Sequence, residues 1–153
     1  MRQWEQDYKE LVKRKKFDHW QMMEIRLGYE HGLNSEQIKI YADEGFDEWQ
    51  MMEVRLGLEH GLTRNQIELY ANPKFNYSEM MEIRFGLEDG LTLEQIKMYA
   101  DIKFNHRQMY QIREGLDYGL PIEQIKMYAN PKYDDWQMAE IRLSLERKLI
   151  KSV

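Results

Sequence analysis

The sequence predicts an all-α protein, a short right-handed α-solenoid of stacked two-helix repeats with about ten helices. Three observations carry this expectation. One 29-residue unit recurs five times without insertion, opening on Phe17, Phe46, Phe75, Phe104 and Tyr133. Apolar residues inside each unit fall at helical spacing. Only 3 prolines occur in 153 residues, of which 42% are hydrophobic and 32% charged, the balance of a well-ordered helical chain. The expected organisation is one repeat domain over 1–153. It comprises an N-terminal capping helix (1–16), repeats over 17–45, 46–74, 75–103 and 104–132, and a C-terminal capping helix (133–153).

The N-terminal segment, Trp4 to Lys16, reads as a degenerate second helix, with Tyr8, Leu11 and Val12 at the spacing of the later Ile, Tyr and Ala. The first helix of each full repeat should run from the third to about the fifteenth position, as in His19 to His31. Asp18, Asp47, Asn76, Asn105 and Asp134 stand just ahead as N-caps, whose side chains accept from otherwise unpaired N–H groups. Gly32, Gly61, Gly90 and Gly119 close these helices in the left-handed conformation. The second helix follows at once. Asn34, Thr63 and Thr92, each three residues before a Gln, form capping boxes, and Pro121 takes that place in the fourth copy. Asn72-Pro73 and Asn130-Pro131 are read as its stop, because the residue before proline avoids the helical region. In the last unit Ser144 and Lys148 replace two glycines, so the final helix is expected to run on towards Ile150.

On a helical wheel Met22, Ile25, Tyr29 and Leu33 form one stripe, and Trp20, Met23 and Leu27 form another opposite it. Two apolar faces imply packing on both sides, which neighbouring repeats supply. Trp20, Trp49 and Trp136 and the methionine pairs are accordingly expected in the core. Gly28, Gly57, Gly86 and Gly115 lie between the stripes, where a missing side chain admits a close neighbour. Arg26/Glu30, Arg55/Glu59, Arg84/Glu88, Arg113/Asp117 and Arg142/Glu146 are i,i+4 pairs, expected as a solvated network linking adjacent units.

Composition narrows the function. The 27 acidic and 22 basic residues give a net charge of −5, which argues against bulk electrostatic binding of nucleic acid. Cysteine is absent, so disulfides, thiolate metal sites and cysteine nucleophiles are excluded, consistent with a reducing cytosol. No apolar run reaches the ~18 residues of a membrane span, and Met1 to Glu5 lacks the apolar core of a secretory signal, so a cytoplasmic location is expected. His31 and His60 recur in equivalent places, as do His19 and His106, but helices ~8–10 Å apart hold such pairs too far apart to share a zinc ion. No nucleophile elbow, phosphate loop or paired acid and base occurs. A non-enzymatic protein without cofactor or metal is the expectation.

Two segments are candidate contact sites. The fourth repeat departs most from the pattern, carrying His106, Arg107, Tyr110, Glu114 and Tyr118 where other units have Trp, Met, Leu and His or Asp. It is read as a partner-specificity patch, against a local repacking. Lys13, Arg14, Lys15 and Lys16 form the one basic run, in a 16-residue segment with six positive and three negative side chains. This run is read either as cations at a helix C-terminus or as a contact for an anionic partner.

The unit from Phe46 to Leu62, with Gln66-Ile67 and Tyr70 to Lys74, resembles a tandem helical repeat of about 29 residues in uncharacterised bacterial proteins, many from phages and other mobile elements. The resemblance extends from Phe17 to the end of the chain and brings no functional residues with it. It implies a role in conflict between mobile element and host, such as inhibition of a defence nuclease. The leading expectation from the residues is a scaffold that recognises a protein partner through variable surface positions. A nucleic-acid mimic or anti-CRISPR-like inhibitor, and a structural or oligomerising unit, are the alternatives.

Overall fold

The computed structural model describes residues 1–152 and is all-helical, with ten helices among them and no strand. These are α1 (Gln3–Arg14), α2 (His19–Glu30), α3 (Ser35–Tyr41), α4 (Glu48–Glu59), α5 (Arg64–Glu68), α6 (Tyr77–Glu88), α7 (Leu93–Lys97), α8 (His106–Tyr118), α9 (Ile122–Ile125) and α10 (Asp135–Lys151). The chain divides into two compact units, Met1–Met80 and Met81–Val153, with the division inside α6. In the first, α2 packs against α1, α3 and α4, and α4 against α3 and α5. In the second, α8 packs against α9 and α10.

Capping decides where the first helices begin. Asp18 accepts from the Gln21 N–H at 2.8 Å while the Gln21 side chain accepts from the Asp18 N–H at 2.9 Å, a reciprocal box that satisfies two orphan donors. The same box forms at Asp47/Gln50, Asn76/Glu79, Asn105/Gln108 and Asp134/Gln137. The glutamine then does a second job. Gln21 Nε2 donates to the Phe46 carbonyl at 2.6 Å, Gln50 Nε2 to that of Phe75 at 2.6 Å, and Gln108 Nε2 to that of Tyr133 at 2.8 Å. One side chain thus caps its own helix and ties the backbone of the following repeat.

The helix ends follow the expected glycines, with φ of 93°, 89°, 90° and 106° at Gly32, Gly61, Gly90 and Gly119. Proline is not what stops the second helices. In the second and fourth copies they end at Glu68 and Ile125, well ahead of Pro73 and Pro131, and in the third copy, where Ile102 takes the place of proline, the helix ends in the same place. A polar turn follows further on in every copy, with or without proline. Asp43, Asn72, Asp101 and Asn130 accept from the backbone N–H two residues on at 2.8–3.0 Å.

Each repeat is locked by a tyrosine from its second helix. Tyr41, Tyr70, Tyr99 and Tyr128 are fully buried, and their hydroxyls donate to the carbonyls of Glu24, Glu53, Glu82 and Gln111 at 2.8–2.9 Å. Burial raises the pKa of Tyr41, Tyr99 and Tyr128, so these phenols stay neutral donors. The ring tip lies against the glycine one turn beyond that carbonyl. Ile25, Val54, Ile83 and Ile112 are buried beside it, with Met51, Met80, Met109 and Met138. The C-terminal helix extends to Lys151, as the loss of both glycines predicts.

The opposite apolar stripe is not core. Trp20, Trp49 and Trp136 are 57%, 53% and 78% exposed, and Met23 is also open to solvent. The sequence pattern placed these residues in the interior because apolar spacing alone does not say whether a neighbour covers the second face. Arg26 and Glu30 are solvated as expected, but the later arginines are corrected in the other direction. Arg55 and Arg113 are 7% and 9% exposed, an interior network rather than a solvated one.

Candidate interaction surface

Trp20 and Trp49 each occupy the second residue of a capped helix, with Met23 and Met52 one turn later on the same face. Because α2 and α4 pack side by side, the two pairs border one cleft of about 330 Å³, completed by Glu24 and Glu48. His19 meets the Trp20 ring edge-on at 5.3 Å, and Tyr77 tilts against Trp49 at 6.0 Å. Glu24 is held from behind by Arg55 Nε at 2.7 Å. Glu48, in the first turn of α4, makes no hydrogen bond or ion pair among the described residues.

Arg55 is a junction between consecutive first helices. Besides Glu24, its Nη1 reaches both oxygens of Glu59 at 2.9 and 3.0 Å, and His31 Nδ1 lies 2.8 Å from Glu59 Oε1. The corresponding junction in the second unit centres on Arg113. Its Nε donates to Glu82 at 2.8 Å and its Nη1 to Asp117 at 2.9 Å, with Asp89 and Glu114 each 3.7 Å away. Arg142 donates to the neutral Gln111 side chain at 2.9 Å and to Glu146 at 2.8 Å. The expected i,i+4 partners are present, but the inter-helix acceptors Glu24, Glu82 and Gln111 come from the eighth position of the preceding repeat. That position is Glu or Gln in every copy, a legible signal once the arginines are known to be buried.

Where the first unit has His31, the second has Asp89, which brings two carboxyls together. Burial, then the hydrogen bond and charge of Asp89, push the Asp117 pKa up to about 6 against the pull of Arg113. The folded chain therefore binds this proton more tightly than the unfolded chain, and stability should fall as pH rises from about 4 through 6. Asp89→Asn should remove the repulsion and stabilise the protein above pH 6 by about 1 kcal/mol, after allowing for water screening of a part-exposed pair. Urea denaturation at pH 4 and pH 7.5 should show the gain only at the higher pH; an equal gain at both would refute the carboxyl pairing.

The five fourth-repeat residues all lie on α8. His106, Tyr110, Glu114 and Tyr118 follow one another at four-residue spacing and so form a single ridge, with Arg107 beside its start. Arg107, Tyr110 and Tyr118 are exposed, and His106 and Glu114 are half-buried. The Tyr110 ring stacks over the Arg113 guanidinium at 5.4 Å, which fixes one face of the ridge. Lys13 and Arg14 are exposed at the end of α1, with Arg14 3.6 Å from Glu10. Lys15 donates to the Ala42 carbonyl at 3.1 Å and the Lys16 backbone N–H to Glu44, so half of the basic run fastens the N-terminal helix to the first repeat.

No group of three or more His, Asp or Glu side chains is placed to hold a metal ion among the described residues, and no helix there is long and apolar enough to cross a membrane. No family model matches the chain, and no curated protein or solved structure does either.

Proposed function

We propose that the chain is a non-enzymatic binding scaffold that recognises a protein partner through side chains projecting from a repeated helical frame. Its frame is the sequence-derived solenoid of 29-residue units, right-handed and stacked. The observation that favours this reading is the open aromatic face: large apolar side chains stand exposed on helices whose opposite faces carry the buried core residues. Tryptophan and tyrosine are the residue types that most often anchor protein interfaces. The α8 ridge of His106, Tyr110, Glu114 and Tyr118, with Arg107, offers a second set of the same kind.

The test is affinity capture from lysate of the source cell, with and without nuclease, read by mass spectrometry. A stoichiometric protein that survives nuclease supports the reading. An Arg107/Tyr110/Glu114/Tyr118 quadruple alanine variant should keep its helical circular dichroism and lose that partner; unchanged capture removes the ridge from the site. Loss of every partner after nuclease favours instead a nucleic-acid complex, with Lys13 and Arg14 as the first residues to change. A defined oligomer without a foreign partner favours the structural reading.

A further inference from the structure

The cleft between α2 and α4 has a composition that selects its guest. Its walls are the indoles of Trp20 and Trp49 and the thioethers of Met23 and Met52, and its carboxylates are Glu24 and Glu48. Glu24 already answers to Arg55, whereas Glu48 has no partner among the described residues. A purely apolar guest would strip water from Glu48 and return nothing, and an anionic guest would meet a carboxylate of like charge. A guanidinium on a methylene stem satisfies every wall. Its stem lies along the apolar side chains, its plane stacks on an indole, and its paired N–H donors meet the Glu48 carboxylate. The second unit makes the same pairing internally, where Arg113 lies over the Phe85 ring at 5.7 Å while donating to Glu82.

We propose that the Trp20/Trp49 cleft is the docking site for an arginine-bearing peptide segment of the protein partner, with Glu48 as the acceptor of the guanidinium. This rests on the protein-binding reading and specifies the chemistry of what is bound. The probe is a fluorescein-labelled peptide of repeated Leu-Arg-Gly, read by anisotropy against the full chain, with a matched peptide carrying citrulline in place of arginine. Citrulline keeps the shape and removes the charge.

The arginine peptide should bind, and the citrulline peptide should bind at least tenfold more weakly. Trp20→Ala and Trp49→Ala should each weaken binding of the arginine peptide about tenfold or more, and Glu48→Gln threefold to tenfold, with helicity unchanged. Absence of binding, equal binding of the two peptides, or indifference to Glu48→Gln and Trp49→Ala overturns the proposal. So does a second copy of the chain filling the cleft, seen as a dimer in sedimentation that Trp49→Ala dissociates. The two readings fail separately. A captured protein partner that is lost with Trp49→Ala, while the arginine peptide does not bind, leaves the scaffold reading intact and removes only the arginine. Peptide binding without any protein partner does the reverse.

Discussion

Gly57→Ala should destabilise the protein by about 3 kcal/mol, although alanine is the better helix former by roughly 1 kcal/mol. A methyl group on Gly57 would stand 2.0 Å from the Tyr70 hydroxyl oxygen and 2.8 Å from Ile67 Cδ1. The tyrosine has nowhere to withdraw. Its ring is fully buried, and its hydroxyl donates to the Glu53 carbonyl at 2.8 Å. Making room means breaking that bond inside the protein and reopening the contact between the two helices of the repeat. For a chain of this size the loss lowers the melting temperature by roughly 6–12 °C. Tyr70→Phe alone should cost about 1 kcal/mol for the hydrogen bond. Combined with Gly57→Ala it should cost less than the sum, because the phenylalanine ring lacks the atom that the methyl group strikes. Strict additivity in a double-mutant cycle, or a Gly57→Ala variant as stable as the parent, would falsify the tyrosine lock.

Arg55→Met should cost about 3–5 kcal/mol, the usual consequence of removing one member of a buried ionic cluster. Burial alone would lower the Arg55 pKa, but hydrogen bonds to Glu24 and Glu59 outweigh it and raise the value, so the guanidinium is charged at every accessible pH. Without it Glu24 loses its ion-pair partner and Glu59 keeps His31, both carboxylates lying where little water reaches. They regain protons as the pH falls, so the penalty should be largest at pH 7 and should shrink towards pH 4. Adding Glu24→Met should restore part of the loss at pH 7, since the arginine would no longer leave that carboxylate unpaired. Urea midpoints for the parent and both variants at both pH values decide the matter. A penalty independent of pH would mean that packing of the arginine stem, rather than its charge, is what matters.

Much of the fold was legible because it is written in short-range chemistry and repeated. The Asp or Asn ahead of each first helix and the glycine after it mark helix ends by hydrogen bonding within a few residues, and all of them act as expected. The helix count and the extension of α10 follow from the same local rules. The prolines misled because they coincide with a turn that Asn72 and Asn130 make on their own, as Asp43 and Asp101 do without any proline. The candidate ridge on α8 was visible as a departure from the repeat, but its electrostatic setting was not. Asp89 and Glu82 reach Arg113 from the turn after α6 and from α6 itself, 24 and 31 residues away in the chain.

The sequence by itself determined the helices, their caps and the buried stripe of Ile, Met and Tyr, because periodicity and capping are properties of contiguous residues. Only the tertiary structure decided which charged and aromatic residues are inside. A helical wheel ranks residues by direction around one axis and carries no information about what lies in each direction. Arg55 and Arg113 therefore looked like surface residues and are buried, while Trp20 and Trp49 looked like core and are exposed. The cleft between the two tryptophans exists only because α2 and α4 pack side by side with that face uncovered.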